Sequence, residues 1–92
     1  MDPFSEAVEK IVREQRNVIG PLALEQARRV NGLQIDLEKH QVSFSGNRTE
    51  ILEHLVEQYK KLFGQASVQV CKDAARPVLS NVSPQEVPAL LK

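Results

Sequence analysis

The side chains best suited to bind a metal ion are two histidines and one cysteine. His40, His54 and Cys71 lie far apart in the sequence, and none of them forms a pair at the short spacing that places two ligands on one helix or turn. The four glycines are isolated from one another, so the chain has no glycine-rich loop for a phosphate group. The sequence therefore predicts no metal site and no cofactor.

Nucleophilic and acid–base chemistry also lacks a strong candidate. Cys71 follows Val70 on an apolar stripe, which is typical of a cysteine that packs as a small hydrophobic side chain. Glutamates such as Glu9 have a basic residue one helical turn away, in this case Arg13, and such pairs usually form solvated salt bridges. We therefore predict no catalytic residues, and we keep an enzyme subunit or a small-ligand-binding domain as the alternative.

The composition is that of a folded and electrically neutral protein. Lys and Arg number 12, as do Asp and Glu, and hydrophobic residues make up 41% of the 92-residue chain. This combination argues against disorder, which requires low hydrophobicity or high net charge. The lack of a basic excess argues against a dedicated nucleic-acid binder. The adjacent Arg28 and Arg29 leave a nucleic-acid-associated regulator as a second alternative.

Three features bear on where the protein is located. A single cysteine cannot form an intramolecular disulfide, which favours a reducing compartment. No apolar run approaches the roughly 18 residues of a membrane span. The first residues do not combine a basic segment with an apolar core, as a signal peptide would. We expect a cytoplasmic protein without membrane attachment.

The first third of the chain has the apolar spacing of two amphipathic helices. Asp2 is a suitable cap, and Pro3 suits the first helical position because it lacks an N–H that would be unpaired there. We predict a first helix from Pro3 to about Val18. Gly20 and the proline after it interrupt this pattern, and we predict a second helix that ends near Val30.

A second pair of helices is predicted after Asn47, which resembles the first residue of a capping box. The third helix has the clearest amphipathic pattern, and a fourth helix follows Gly64 and ends near Pro77. We expect the third helix to supply the centre of the core, through Leu55, Tyr59, Leu62 and Phe63.

Between the two helix pairs, apolar and polar residues alternate over 33–45, which predicts a β-hairpin. Two strands leave two free edges, so pairing of an edge with a second copy would produce a homodimer and cover Val42 and Phe44. We predict an interaction surface that comprises Val42, Phe44, Arg28 and Arg29. The segment 83–92 is predicted to form a short C-terminal helix.

The two helix pairs resemble each other when the chain is shifted by 44 residues. Each half, 3–31 and 47–79, contains a long helix, an apolar pair, a glycine and a shorter helix, which is the pattern of an internal repeat. All amphipathic helices share the same spacing of apolar residues, which alone would produce part of this similarity between the halves. Chance similarity is therefore the competing interpretation. If the repeat is genuine, Gly20 and Gly64 have equivalent roles at the two junctions.

The segments Asn17–Ala23 and Leu62–Ala66 resemble small helical modules found beside bacterial, notably cyanobacterial, signalling domains. Those modules have an Ile-Gly-Pro turn between two helices, whereas the second segment has Gln65 in place of the proline. The resemblance covers about a third of the chain. It implies a regulatory or adaptor module and carries over no site residues.

Together these observations predict one domain over 1–92 of the α+β class, mostly helical. Two helical hairpins form a four-helix core, and the β-hairpin bridges them. The predicted function is a non-enzymatic protein-interaction or regulatory module. Its partner is a protein of unknown identity, and a homodimer is one form that this interaction could take.

Overall fold

The computed structural model describes residues 2–92 and is mostly helical, with one antiparallel β-hairpin. This architecture confirms the predicted fold class. The α-helices are α1 (Pro3–Ile19), α2 (Leu22–Arg28), α3 (Arg48–Phe63) and α4 (Gln65–Leu79), and strands β1 (Leu33–Asp36) and β2 (Gln41–Phe44) lie between α2 and α3.

The two long helices α1 and α3 begin at the polar residues that the sequence indicates as caps. The Asp2 side chain accepts a hydrogen bond of 3.0 Å from the backbone N–H of Ser5. The Asn47 side chain accepts a bond of the same length from the N–H of Glu50. Each bond satisfies an N–H that has no partner within its helix, which stabilises the helix start.

The two helix junctions have nearly the same backbone geometry. Gly20 has φ 71° and ψ −148°, and Gly64 has φ 77° and ψ −162°. Each glycine N–H donates to the carbonyl four residues earlier, at Arg16 and at Lys60. These dihedral angles are essentially restricted to glycine, so a residue without a Cβ is required where each long helix ends.

The hairpin is short and lies against the first helix pair. Leu33 is opposite Phe44, and Ile35 is opposite Val42. These apolar side chains face α1 and α2 and pack against the core, which gives the alternation seen in the sequence. The turn between the strands contains His40, which has a positive φ of 53°.

The core lies between the two helix pairs, and the most extensive contact is that of α1 with α4. Leu55 and Tyr59 are completely buried, as predicted. The prediction for Leu62 and Phe63 is wrong, because 49% of Leu62 and 38% of Phe63 are exposed. Both point along the same stripe of α3 as the core residues, but they lie in its last turn, beyond the end of the core.

Two hydrogen bonds connect the halves in a reciprocal way. Gln15 on α1 donates from Nε2 to the carbonyl of Ser67, in the first turn of α4, at 2.9 Å. Tyr59 on α3 donates its hydroxyl hydrogen to the carbonyl of Ala23, in the first turn of α2, at 2.6 Å. Donors and acceptors are both related by the 44-residue shift. This match supports the internal repeat, which stays a hypothesis.

The end of the chain departs from the predicted boundaries. Helix α4 continues through Pro77, which cannot donate a helical hydrogen bond, to the buried Leu79. The C-terminal segment forms two 3-10 turns, Pro84–Glu86 and Ala89–Leu91, rather than one continuous helix. Pro88 causes the division, because a proline favours an extended conformation at the residue before it.

Candidate interaction surface

The large hydrophobic side chains that are exposed within residues 2–92 are confined to the two helix junctions. Val18 and Leu22 are 64% and 44% exposed, and they flank Gly20. Leu62 and Phe63 immediately precede Gly64. We call these four residues, Val18, Leu22, Leu62 and Phe63, the junction face. Isolated exposed apolar residues are common on proteins, but several gathered at one place indicate a contact surface.

Both junctions lie at the same end of the molecule. Gln15 is one turn before Val18, and it contacts Ser67 at the start of α4, just after Gly64. Tyr59 is one turn before Phe63, and it contacts Ala23, which is next to Leu22. Because a helical turn advances only about 5.4 Å, these two contacts place both junctions, with their exposed side chains, at the same end of the molecule.

The junction face is exposed because the apolar stripes of α1 and α3 are one turn longer than the core that they cover. Gln15 and Tyr59 close the core at this end, and each uses its polar tip to bond the neighbouring helix. The chain then turns at each glycine, which leaves Val18, Leu62 and Phe63 exposed, whereas Ile19 still packs against the core. Helical spacing indicates which face of a helix a side chain is on, but it does not indicate where along the helix the core ends. The exposure of these residues could therefore not be predicted from the sequence.

Charged residues of both signs border the junction face. Lys60 and Lys61 are exposed beside Leu62, and exposed Glu57 lies one turn before Lys61. On the α1–α2 side, Glu14, Arg16 and Glu25 are exposed. These three glutamates and three cations balance, so the charge around the junction face has no dominant sign.

The interaction residues predicted from the sequence are not part of this surface. Val42 and Phe44 are half-buried on the hairpin and pack against the core. Arg28 and Arg29 are exposed at the C-terminal end of α2. Arg29 lines one open depression, between α2 and α3, and Val42 lines a different one, beside the hairpin. A surface built from these four residues stays a prediction.

A second cluster joins the hairpin turn to α1. The buried carboxylate of Glu9 accepts a hydrogen bond of 2.9 Å from Arg13 Nε, and His40 Nδ1 lies 2.6 Å from the same oxygen, Oε2. A carboxylate only accepts, so the His40 ring donates. Arg13 also donates to the carbonyl of Leu37 at 2.8 Å. The cluster thus holds the turn on the helix.

Burial alone would raise the pKa of Glu9, but the hydrogen bonds from His40 and Arg13 outweigh it and hold the pKa below its ordinary value of 4.5. A group whose pKa is depressed by folding stabilises the protein above the unfolded-state pKa, and this contribution is lost as pH falls through the folded-state pKa. The carboxylate of Glu9 therefore contributes stability at neutral pH.

We expect Glu9→Gln to lower the free energy of unfolding by about 1–3 kcal/mol at pH 7, because it replaces charge-assisted hydrogen bonds by weaker ones. The difference from the unsubstituted protein should shrink as the pH falls below 4.5. Urea denaturation between pH 3 and pH 7 measures both effects. Glu14→Gln is the control, because Glu14 is exposed on the same helix; an equal loss in this variant would contradict the assignment.

The sulfur and the phenol of the core are poorly placed for chemistry. Burial raises the pKa of Cys71 to about 11, and a hydrogen bond from Gln15 Nε2 opposes this only partly. Burial also raises the pKa of Tyr59 well above its usual range. A thiol with a raised pKa is a weak nucleophile at neutral pH. Gln15 Oε1 is buried without a hydrogen-bond partner among residues 2–92 of the protein.

Residues 2–92 contain no group of three or more histidine, cysteine, aspartate or glutamate side chains that could hold a metal ion. Within the same residues, no helix combines the length and the apolar character needed to cross a membrane. Comparison of the chain with protein-family models, with curated proteins and with solved structures finds no match.

Proposed function

We propose that this protein is a non-enzymatic, cytoplasmic protein-interaction module that binds its partner through the junction face. The observation that carries the proposal is the concentration of the exposed large hydrophobic residues of the described chain at one end, around Gly20 and Gly64. Apolar surface gathered in this way is a common feature of protein-binding sites.

The physical argument is the free energy that contact would release. Each of these side chains would gain about 25 cal/mol for every square ångström of apolar surface that a partner removes from water. The backbone beneath them is fixed by α1 and α3 and by the hydrogen bonds of Gln15 and Tyr59. The backbone of this surface would therefore not have to become ordered when a partner binds, which lowers the entropic cost of binding.

The titratable clusters support an interaction module better than an enzyme. The Glu9 carboxylate is engaged by two donors, and the Cys71 thiol is buried. An acid, base or nucleophile has to reach a substrate within hydrogen-bonding distance. The junction face, by contrast, offers apolar side chains and flanking charges, which are the components of a binding surface.

We expect Val18→Ser with Leu62→Ser to abolish partner binding while each substitution lowers the free energy of unfolding by only about 1 kcal/mol, because about half or more of each side chain is exposed. The measurement is affinity capture from the source cell, with urea denaturation of the purified variant alongside. The reciprocal contact of Tyr59 with Ala23 should be unaffected.

Two control variants make this comparison specific. Gln34→Ala with Ser43→Ala alters exposed polar residues of the hairpin and should retain binding. Val42→Ser tests the hairpin surface predicted from the sequence. If Val42→Ser loses the captured protein and the junction variant keeps it, the junction face is not the binding site.

A further inference from the structure

We infer that Asn31 is a site of spontaneous deamidation, at which the backbone nitrogen of Gly32 displaces the side-chain amide and leaves aspartate or isoaspartate. The inference does not depend on the junction face. It follows from the turn between α2 and β1, where an exposed asparagine precedes a glycine that the fold requires.

The turn leaves the attacking nitrogen without a backbone partner. The N–H of Leu33 donates to the carbonyl of Val30 at 3.2 Å, which places Asn31 and Gly32 at the centre of a four-residue turn. Gly32 has a φ of 84°, as the third residue of a type II turn does. No backbone carbonyl within residues 2–92 accepts a hydrogen bond from the N–H of Gly32. No such bond therefore has to break before this nitrogen attacks the exposed side chain beside it.

Packing against the end of the hairpin keeps position 32 a glycine. A Cβ at this position would lie 2.5 Å from the backbone oxygen of Ser45, which is too close for two nonbonded atoms. The N–H of Ser45 donates to the carbonyl of Gly32 at 2.7 Å, and this bond holds the two segments together. A side chain at position 32 would shield the nitrogen from Asn31, but the close approach of the backbone excludes one.

The three other asparagines of the chain lack this combination. Asn17 and Asn81 precede valines, whose β-branched side chains crowd the nitrogen that would attack. The N–H of the valine after Asn81 also donates a backbone hydrogen bond of 3.0 Å. Asn47 precedes an arginine, and its side chain is held by the hydrogen bond from the N–H of Glu50. We therefore expect the reaction to be selective for Asn31.

The reaction consumes one water molecule and releases one ammonia molecule. The nitrogen of Gly32 bonds to Cγ of Asn31 as it loses its proton, and the bond from Cγ to Nδ2 breaks, so that Nδ2 leaves as ammonia with that proton. Water then opens the succinimide ring, at Cγ to give aspartate or at the main-chain carbonyl carbon of residue 31 to give isoaspartate. Asn31 lines the open depression between α2 and α3, so water reaches the ring.

The two products affect the fold differently, although each adds one negative charge. Aspartate keeps the length of the turn and lies at an exposed position. Isoaspartate adds one carbon atom to the backbone between α2 and β1. This addition lies directly before the carbonyl that Ser45 bonds and before the buried Leu33. We therefore expect isoaspartate, and not aspartate, to weaken the attachment of the hairpin.

The test incubates the folded full chain at pH 8 and follows all four asparagines by peptide mapping with mass spectrometry. We expect Asn31 to convert at least about 10-fold faster than Asn17 or Asn81, because no side chain crowds the nitrogen of Gly32. The rate should rise with pH, because the attacking nitrogen loses its proton. Both aspartate and isoaspartate should form at residue 31, since the succinimide opens at either carbonyl carbon.

Two variants separate the chemistry from its effect on the fold. Asn31→Gln retains an amide, but its longer side chain would have to close a six-membered ring, so this variant should remain unmodified at position 31. Asn31→Asp should unfold at nearly the same urea concentration as the unsubstituted chain. The isoaspartate form, separated by chromatography from the incubated protein, should unfold at a lower urea concentration than Asn31→Asp.

Three results would overturn the site. These are equal conversion rates at the four asparagines, conversion at Asn31 only after urea has unfolded the chain, and formation of aspartate without isoaspartate. An isoaspartate form as stable as Asn31→Asp would overturn the expected effect on the hairpin. None of these measurements involves a partner protein, so the interaction module is tested separately.

Discussion

Leu55→Ala is expected to lower the free energy of unfolding by about 2–4 kcal/mol. The Leu55 side chain is completely buried on α3, within the core that this helix forms with its neighbours. Truncation removes the transfer free energy of the lost methyl groups and leaves a cavity that close-packed neighbours fill only partly. For a domain of this size, the loss is a large fraction of the total stability. Equilibrium urea denaturation, followed by circular dichroism, measures it.

Leu62→Ala is the matched control for this prediction. Leu62 has the same residue type and lies on the same helix and the same apolar stripe, but 49% of it is exposed. Its truncation should cost less than about 1 kcal/mol, because little cavity forms and less surface returns to water. Equal losses at the two positions would show that the core extends to the end of α3 and that the junction face does not exist.

Gly64→Ala is expected to destabilise the protein by about 1–3 kcal/mol, the usual cost of forcing a Cβ into a backbone conformation that only glycine adopts readily. A Cβ at this position would meet no atom within 4 Å, so the cost arises from the dihedral angles and not from a clash. Gly20→Ala should behave in the same way, since its φ is also positive and its surroundings are also open. Thermal or urea denaturation gives the size and the sign.

The sign of the Gly64 effect is informative by itself. In a continuous helix, alanine would be more stable than glycine by about 0.5–1 kcal/mol. A stabilised Gly64→Ala variant would therefore mean that α3 and α4 form one rod. Gln65→Ala, at the exposed first residue of α4, controls for a general effect of alanine on that helix and should change stability by less than about 0.5 kcal/mol.

The elements themselves could be predicted from the sequence because local signals specify them. Asp2 and Asn47 cap helices in the structure as their residue types indicate, and the two glycines adopt the positive φ that ends each long helix. The alternation over 33–45 likewise corresponds to paired strands. Capping, turn and periodicity signals all operate within a few residues, so they are visible without tertiary information.

The candidate site could not be predicted because it depends on where distant segments end. The spacing of Leu62 and Phe63 is that of core residues, and only the position of the opposing helices shows that the core stops at Tyr59. The contact of Glu9 with His40 is equally non-local, since it depends on how the hairpin lies on α1. A signal was present in both apolar pairs, which directly precede a glycine that must end the helix.

The reciprocal bonds of Gln15 and Tyr59 have a consequence for how the chain folds. Gln15 on α1 and Tyr59 on α3 each donate a hydrogen bond to the first turn of the second helix of the other half, α4 and α2 respectively, so neither half alone can complete its interior. The strongest helix contact, between α1 and α4, likewise joins the beginning of the chain to its last third. Assembly must therefore close a long loop before the core forms, which slows folding relative to a bundle of sequential neighbours. In the folded protein, neither half can unfold without breaking the hydrogen bond that it shares with the other half. We therefore expect the two halves to unfold in one cooperative step.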